Sequence, residues 1–557
     1  MNKAKPLFQA LSVLIVPFFI LLATAQLSFG QHVAELDSIF QSWDSSATPG
    51  CAVGVSEEGR PVATRAWGMA DLENPVRNTP STIFEAGSVS KQFVSASVIL
   101  LSLDGKLTLD DDVRKYIPEL PEYGHTITLR HLLTHTSGLR DWGSVASISG
   151  WGRSNRTHNH DHVLDILSRQ TQLNFPPGKR YSYSNSGYNL LAMVVERVSG
   201  SSFAEYSTEH IFEPLGMTST QWRDDYTRIV QGRSSAYSGS EGDEVYTINR
   251  PIEHVHGNGG LLTTVGDLLA WKHARSSGYF GEEFNHELTR QGRLESGRTI
   301  AYASGVRIDS DHGRPQIVHT GATSGYRAYL SLYPEQDLAV AILCNVTGAG
   351  PGSLGSAVSK LYLGEEASET DDETPNGISL DSEKLEAKTG VWADPRNHRA
   401  TEIVLKNDTL QISGGSDLVP LSENEFQVGS SETTYKFIES GDQSRPSVIV
   451  IREGYSEEVL RPVNWAEEGS IDLADYTGTF ESRDAETVIK LTVDDGELIA
   501  HRRPADTFEL EPLYEDTFTA SGFGLIRFFR NEQGNVIRFA YSSGRVYNMN
   551  FSRIRAR

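Results

Sequence analysis

Gly50-Cys-Ala-Val-Gly-Val-Ser56, a turn at Glu58-Gly59 and Pro61-Val-Ala-Thr-Arg-Ala-Trp67 read as a β-hairpin. A second hairpin lies some 260 residues downstream, where the apolar runs Tyr326–Tyr333 and Leu338–Leu343 flank Pro334-Glu-Gln-Asp337. Between them the pattern turns helical. From Ser88 to Leu103 the positions Phe93, Val94, Val98 and Leu101 fit one helix, closed by Asp104-Gly105. Leu190–Val198 is a second helix, ended by Gly200. Hairpins at both ends with helices between predict one mixed α/β (α+β) domain over residues 32–363, its sheet joining the N- and C-terminal strands.

Outward from this domain the composition changes twice. Gly364-Glu-Glu-Ala-Ser-Glu-Thr-Asp-Asp-Glu-Thr-Pro375 is acidic and nearly free of large apolar residues, which marks 364–380 as a solvated linker. Beyond it short alternating strands repeat. Leu385-Glu-Ala-Lys-Thr-Gly-Val-Trp392 matches Leu473-Ala-Asp-Tyr-Thr-Gly-Thr-Phe480, and Pro420-Leu-Ser-Glu-Asn-Glu-Phe426 matches Pro512-Leu-Tyr-Glu-Asp-Thr-Phe518. Two small antiparallel β-barrel or sandwich domains are expected, over 381–466 and 467–557. Upstream, Lys3 and Lys5 precede the apolar run Leu11–Ala23, and no acid or base follows until Glu35, so residues 1–30 read as a secretory signal peptide. An exported protein, periplasmic or secreted, is expected, with no stable membrane insertion once the leader is cut.

Composition limits the function classes. At 38% hydrophobic and 22% charged residues, the 557-residue chain has ample apolar surface to bury. A formal charge of −23 opposes binding to a phosphate backbone, so nucleic acid is not an expected partner. Two cysteines, Cys51 and Cys344, exclude a disulfide scaffold and a cysteine-built zinc site.

Three short motifs carry chemistry. Ser88-Val-Ser-Lys91 spaces a hydroxyl and an amine three residues apart at a helix start, on one face. A serine needs a base beside it to act as a nucleophile, and a lysine fills that role once burial and nearby positive charge lower its pKa. Tyr183-Ser-Asn185 brings a phenol, which can ionise partly or pass a proton, and an amide that both donates and accepts. His319-Thr-Gly321 follows the strand-like Gln316-Ile-Val318, and its glycine permits a close backbone approach to a ligand. Each alone is commonplace: a helix cap, a turn, a strand end.

In this order within one α/β domain the three motifs resemble the serine β-lactamase and penicillin-binding-protein superfamily. The phrases Leu132–Leu139, Glu213–Met217, Gly259–Asp267 and Ala341–Asn345 look like its class C β-lactamase-like branch, peptidase family S12, over residues 35–363. The resemblance implies an antiparallel sheet flanked by helices. It implies that Ser88 is the acylated nucleophile, Lys91 its activator and Tyr183 the proton shuttle. Asn185, His319 and Gly321 would contact substrate, and the backbone N–H groups of Ser88 and Ala322 would form the oxyanion hole. One departure stands out: most penicillin-recognising members carry lysine where this chain has His319, and a neutral imidazole holds a carboxylate less firmly. Arg327 or another cation could substitute. The three-domain layout resembles the D-stereospecific aminopeptidases of S12, in which two lipocalin-like barrels follow the catalytic domain and one sends a loop to the active site. An acidic loop would supply a carboxylate for a substrate ammonium, and Arg503–Asp516 is the candidate segment.

Other features are read as structural. Lys388-Thr-Gly390 imitates the lysine version of the third motif, but the repeat explains it as a strand start. His158–His162 and His254-Val-His256 are not expected to hold a metal, and His131 with His135 reads as helix-end packing. In the resembled fold the strands carrying Cys51 and Cys344 are antiparallel neighbours, which leaves open one disulfide or two buried thiols. The expected function is an exported serine hydrolase that passes through an acyl-enzyme on a small amide, peptide or ester, with D-aminopeptidase-like action among the options and no metal or organic cofactor. A β-lactamase or penicillin-sensitive DD-peptidase or esterase is the alternative, and a non-catalytic acyl-binding sensor a third. Oligomeric state is not readable.

Overall fold

The computed structural model describes residues 32–364 and 377–554, apart from 430, 440–444, 453, 468 and 470. The expected signal peptide and most of the acidic linker lie outside the described residues.

The N-terminal domain is built on one six-stranded sheet. Its strands are β1 (Cys51–Glu57), β2 (Arg60–Trp67), β3 (Arg307–Asp311), β4 (Arg314–Thr323), β5 (Tyr326–Tyr333) and β6 (Leu338–Cys344), in the order β3-β4-β5-β6-β1-β2. Every pairing is antiparallel. Glu58 (φ 49°) and Gly59 (φ 71°) make the two-residue turn of the first hairpin, a left-handed pair whose twist matches that of the strands it joins. Strand β6 pairs with β1 from Cys51 opposite Cys344 to Glu57 opposite Leu338, so the two hairpins close into a single sheet. A disulfide joins Cys51 to Cys344, which decides between the two states the sequence left open.

Strand β6 is buried along its whole length because helices cover both faces of the sheet. Ala339, Ala341 and Leu343 point into a core shared with α1 (Lys91–Leu103), α2 (Asn185–Ser199) and α3 (Val265–Ser276). The alternate residues Leu338, Val340 and Ile342 pack with Leu36, Phe40 and Val358, the last from α4 (Pro351–Leu363). Helix α1 is buried on nearly all sides rather than along one stripe, since it runs through the middle of the helical layer.

Two closed eight-stranded antiparallel barrels follow, spanning 390–463 and 478–554. The repeated phrases occupy equivalent places. Trp392 and Phe480 lie on the first strands, Pro420 and Pro512 on the fourth, and Phe426 and Phe518 on the fifth. Aromatic side chains fill both interiors: Trp392, Phe426 and Phe437 in one, Phe480, Phe518, Phe528 and Phe539 in the other. Lys388 sits at the entrance to the first barrel with its ammonium 5.5 Å from the Phe437 ring centroid, so Lys388-Thr-Gly390 is part of a barrel. Among the described residues no helix is long and apolar enough to cross a membrane.

Candidate active site

All three motifs converge on one cavity of about 540 Å³, lined by Ser88, Tyr183, Asn185, His319, Gly321 and Ala322. Lys91 lies directly beneath it. The helix bearing Lys91 begins at that residue, and Gly87–Ser90 forms a tighter 3₁₀ turn. Side chains three apart nearly eclipse in such a turn, which sets the Lys91 Nζ 3.1 Å from the Ser88 Oγ. The amine also donates to Asn185 Oδ1 (3.0 Å) and to the Asn258 carbonyl (2.6 Å). It is fully buried. Burial pushes its pKa well below the ordinary lysine range; Arg545 and Arg153 push the same way, and Asp141 alone pulls back.

Tyr183 stands over the amine, with Lys91 Nζ 4.8 Å from its ring centroid. Burial raises the phenol above its usual range, and the neighbouring Ser88 and Arg545 pull it only part of the way back. The phenol is therefore protonated near neutral pH. Among the described residues the buried hydroxyl has no well-formed hydrogen bond, and Ser88 lies beside it. Its loop is held by His135: Ser182 N–H donates to the His135 carbonyl and Ser184 N–H to His135 Nδ1. The His135 ring packs 4.1 Å from that of Tyr183 and 4.5 Å from that of Tyr302. It is buried packing, as expected, and it packs behind the two tyrosines that line the cavity.

On the far side β4 passes very close to the Ser88 turn. A Cβ on Gly87 (φ 51°) would stand 2.6 Å from Ala322 N, and one on Gly321 2.1 Å from the Ala86 carbonyl. Both positions need glycine, for a close approach and, at Gly87, a left-handed backbone. Ser88 and Ala322, which flank this crossing, both line the cavity. His319 faces inward but carries no charge: burial first, then Lys91, lowers its pKa to about 3. With Nδ1 2.5 Å from the Thr320 carbonyl, donation there leaves Nε2 to accept from the Tyr302 hydroxyl at 2.9 Å.

Several functional neighbours escaped the sequence reading. Asn258 lies in the Gly-rich stretch after His256, Asp141 accepts the Asn185 N–H (2.8 Å), and Tyr302 carries no motif around it. Arg545 comes from the second barrel. The acidic segment 503–516 is not the one that reaches the cavity: Arg503 binds the Ser149 carbonyl, and Asp506–Tyr514 is a barrel strand. The segment that does reach it, 543–548, brings a cation.

His162 reciprocally caps the helix it opens with Asn159. His160, Glu196 and His256, however, each offer a ligand atom within 4.8 Å of the others, the one such group of three among the described residues. None of the three lines the cavity.

The Beta-lactamase family model matches residues 36–358. The chain is 26% identical over 397 residues to a D-aminopeptidase of Cereibacter sphaeroides (strain KD131), covering 70% of this chain and 73% of the relative. It is 24% identical over 458 residues to penicillin-binding protein 4* of Bacillus subtilis (strain 168), covering 76% and 98%. Among solved structures it resembles the octameric penicillin-binding protein homologue from Pyrococcus abyssi, with a TM-score of 0.53 at 22% identity over 78% of this chain and 99% of that one.

Proposed function

The chain belongs to the Beta-lactamase family, and on that premise we propose that it is an exported serine hydrolase, cleaving small peptides, amides or esters through an acyl-enzyme at Ser88. The observation that carries this reading is the 3.1 Å contact between the Ser88 hydroxyl and a fully buried amine whose pKa is held far down.

An uncharged Lys91 accepts the Ser88 proton as Oγ attacks the substrate carbonyl. The developing oxyanion lies against the backbone N–H groups of Ser88 and Ala322, an arrangement worth a few kcal/mol, roughly 3–4, in such sites. Tyr183, neutral and beside Ser88, hands a proton to the leaving group and recovers it through Lys91. A water molecule then attacks the acyl-enzyme by the reverse relay, which releases the acid and restores Ser88. Asn185, held by Lys91 through its carbonyl oxygen, keeps its NH2 for the substrate. The disulfide between Cys51 and Cys344 supports the export reading, since such bonds persist in oxidising compartments.

The test is a purified-protein panel of D- and L-aminoacyl p-nitroanilides, short-chain p-nitrophenyl esters and nitrocefin. Ser88→Ala is expected to abolish turnover of every compound the wild type cleaves while leaving the thermal unfolding midpoint within a few degrees. Near-wild-type turnover by Ser88→Ala would exclude Ser88 as the nucleophile.

A further inference from the structure

Helix α2 carries Asn185, Asn189 and Glu196. The first two support the buried amine. Asn185 Oδ1 accepts from Lys91, and Asn189 Nδ2 donates to the His256 carbonyl and to Asn258 Oδ1, both at 2.9 Å. Asn258 in turn gives its carbonyl to Lys91. Glu196 follows Asn189 by two helical turns, about 7 residues, and so shares its face of the helix.

Glu196, His256 and His160 each offer a ligand atom, and these atoms all lie within 4.8 Å of one another. Tetrahedral coordination at about 2.1 Å per ligand spaces donor atoms about 3.4 Å apart, so no pair has more than about 1.4 Å to close. The three residues come from separate elements: the helix His160–Ser168, α2, and the Gly-rich stretch that begins at His256. Each is prepared for a cation. His256 Nδ1 lies 3.0 Å from the His254 carbonyl, and donation there leaves the Nε2 lone pair unused. His160 Nε2 lies 3.1 Å from the His256 carbonyl and 3.4 Å from the His256 backbone nitrogen; donation over the shorter contact leaves the Nδ1 lone pair. An imidazole whose second nitrogen is tied to a carbonyl is the usual form of a metal-bound histidine. Glu196 spends Oε1 on the Phe203 N–H (3.2 Å), and the adjacent Arg197 is paired with Glu119. Among the described residues no lysine or arginine is ion-paired with Glu196.

Against the expectation from histidine spacing alone, we propose that His160, Glu196 and His256 bind one divalent transition-metal ion, zinc above all. Two imidazoles and one carboxylate favour such an ion over magnesium or calcium, which seek oxygen. Water completes the tetrahedron, since His160 and Glu196 are only half-buried. None of the three residues lines the catalytic cavity. The ion acts as a clamp: it ties the Gly-rich stretch to two helices and so fixes the Asn258 carbonyl that holds Lys91. The binding does not depend on the serine-hydrolase reading.

The experiment titrates Zn2+ and Co2+ into the full-length, untagged protein after chelator treatment. One equivalent of zinc is expected to bind and to raise the unfolding midpoint by about 3 °C or more. It should also slow amide hydrogen exchange in peptides covering residues 254–260. Co2+ should give the visible absorption of a tetrahedral complex, and excess magnesium should displace neither ion. Glu196→Gln and His160→Asn, both at half-buried positions, should each weaken zinc binding about tenfold or more. Two histidines that merely stack, with ring centroids 4.4 Å apart, would bind no stoichiometric zinc, and that result overturns the proposal. So does zinc affinity unmoved by both variants, or exchange over 254–260 unmoved by zinc. None of these readouts uses turnover, so they stand whichever residue proves to be the nucleophile.

Discussion

At the scale of single residues, the chemistry turns on how far the protein moves three proton affinities. Lys91 is pushed down, Tyr183 up and His319 down, all mainly by burial. The base must be unprotonated to act, so kcat/KM should fall as pH drops through the lowered pKa of Lys91. Raising the pH across neutrality should cost nothing through Tyr183, whose phenol stays protonated there. Arg545 is the largest charge holding Lys91 down, ahead of Asp141, which opposes it, and Arg153. Arg545→Ala should therefore raise the lysine's pKa and move the acid limb of the profile to higher pH. A limb that stayed put or moved down would show that Arg545 does not act on Lys91. The residues of the three motifs were legible in the sequence because the required spacing is local: three positions from Ser88 to Lys91, two from Tyr183 to Asn185 and from His319 to Gly321. The partners of His135 were not, since they depend on which aromatic rings fold against it, and an i, i+4 histidine pair carries no trace of that.

At the scale of elements, the site is a meeting of one turn and one strand edge. Hairpins and helices were readable because turn residues and apolar period fix them locally. The distance between the Gly87–Ser88 turn and β4 is a tertiary property, and sequence shows only that glycines stand at both places. The crowding gives a direct test. A methyl at Gly321 would collide with the Ala86 carbonyl, which is backbone and cannot step aside. Gly321→Ala should therefore shift β4 away from Ser88 and cut kcat by about 100-fold or more, the scale of losing an oxyanion donor. Burst kinetics with a p-nitrophenyl ester would locate the loss in acylation; an unchanged acylation rate would mean that the approach is not catalytic. The internal repeat was legible for the opposite reason, since each copy is a self-contained barrel whose strands pair with near neighbours in the chain.

Across the whole molecule, both barrels close on the catalytic domain beside the cavity. The first places Tyr455 against Arg307 and Tyr181, and Glu457 against Arg298 and Arg180. The second is latched by Arg140 and Asp484, 2.6 Å apart and almost wholly buried, with Thr171 and Gln170 also bound to Asp484. Arg140 further donates to the Tyr547 carbonyl, which ties the latch to the loop carrying Arg545. Asp484→Ala leaves a buried guanidinium without its carboxylate, and a destabilisation of about 3–5 kcal/mol is expected in denaturant unfolding. Turnover should fall with it; unaltered stability would mean that the latch does not hold the domains together. This docking was the least legible feature. An acidic segment in the same barrel was the natural place to seek a substrate contact, yet nothing local in Ser543-Gly-Arg545 distinguishes the loop that reaches the site.

The most direct test of acyl transfer through Ser88 is intact-protein and peptide mass spectrometry after rapid acid quench with a turned-over p-nitrophenyl ester. A transient mass increase equal to the acyl group, mapping to the peptide that contains Ser88, decaying at the steady-state rate and absent from Ser88→Ala, is the expected result. Turnover with no adduct on Ser88, or an adduct on another residue that survives in Ser88→Ala, would contradict it.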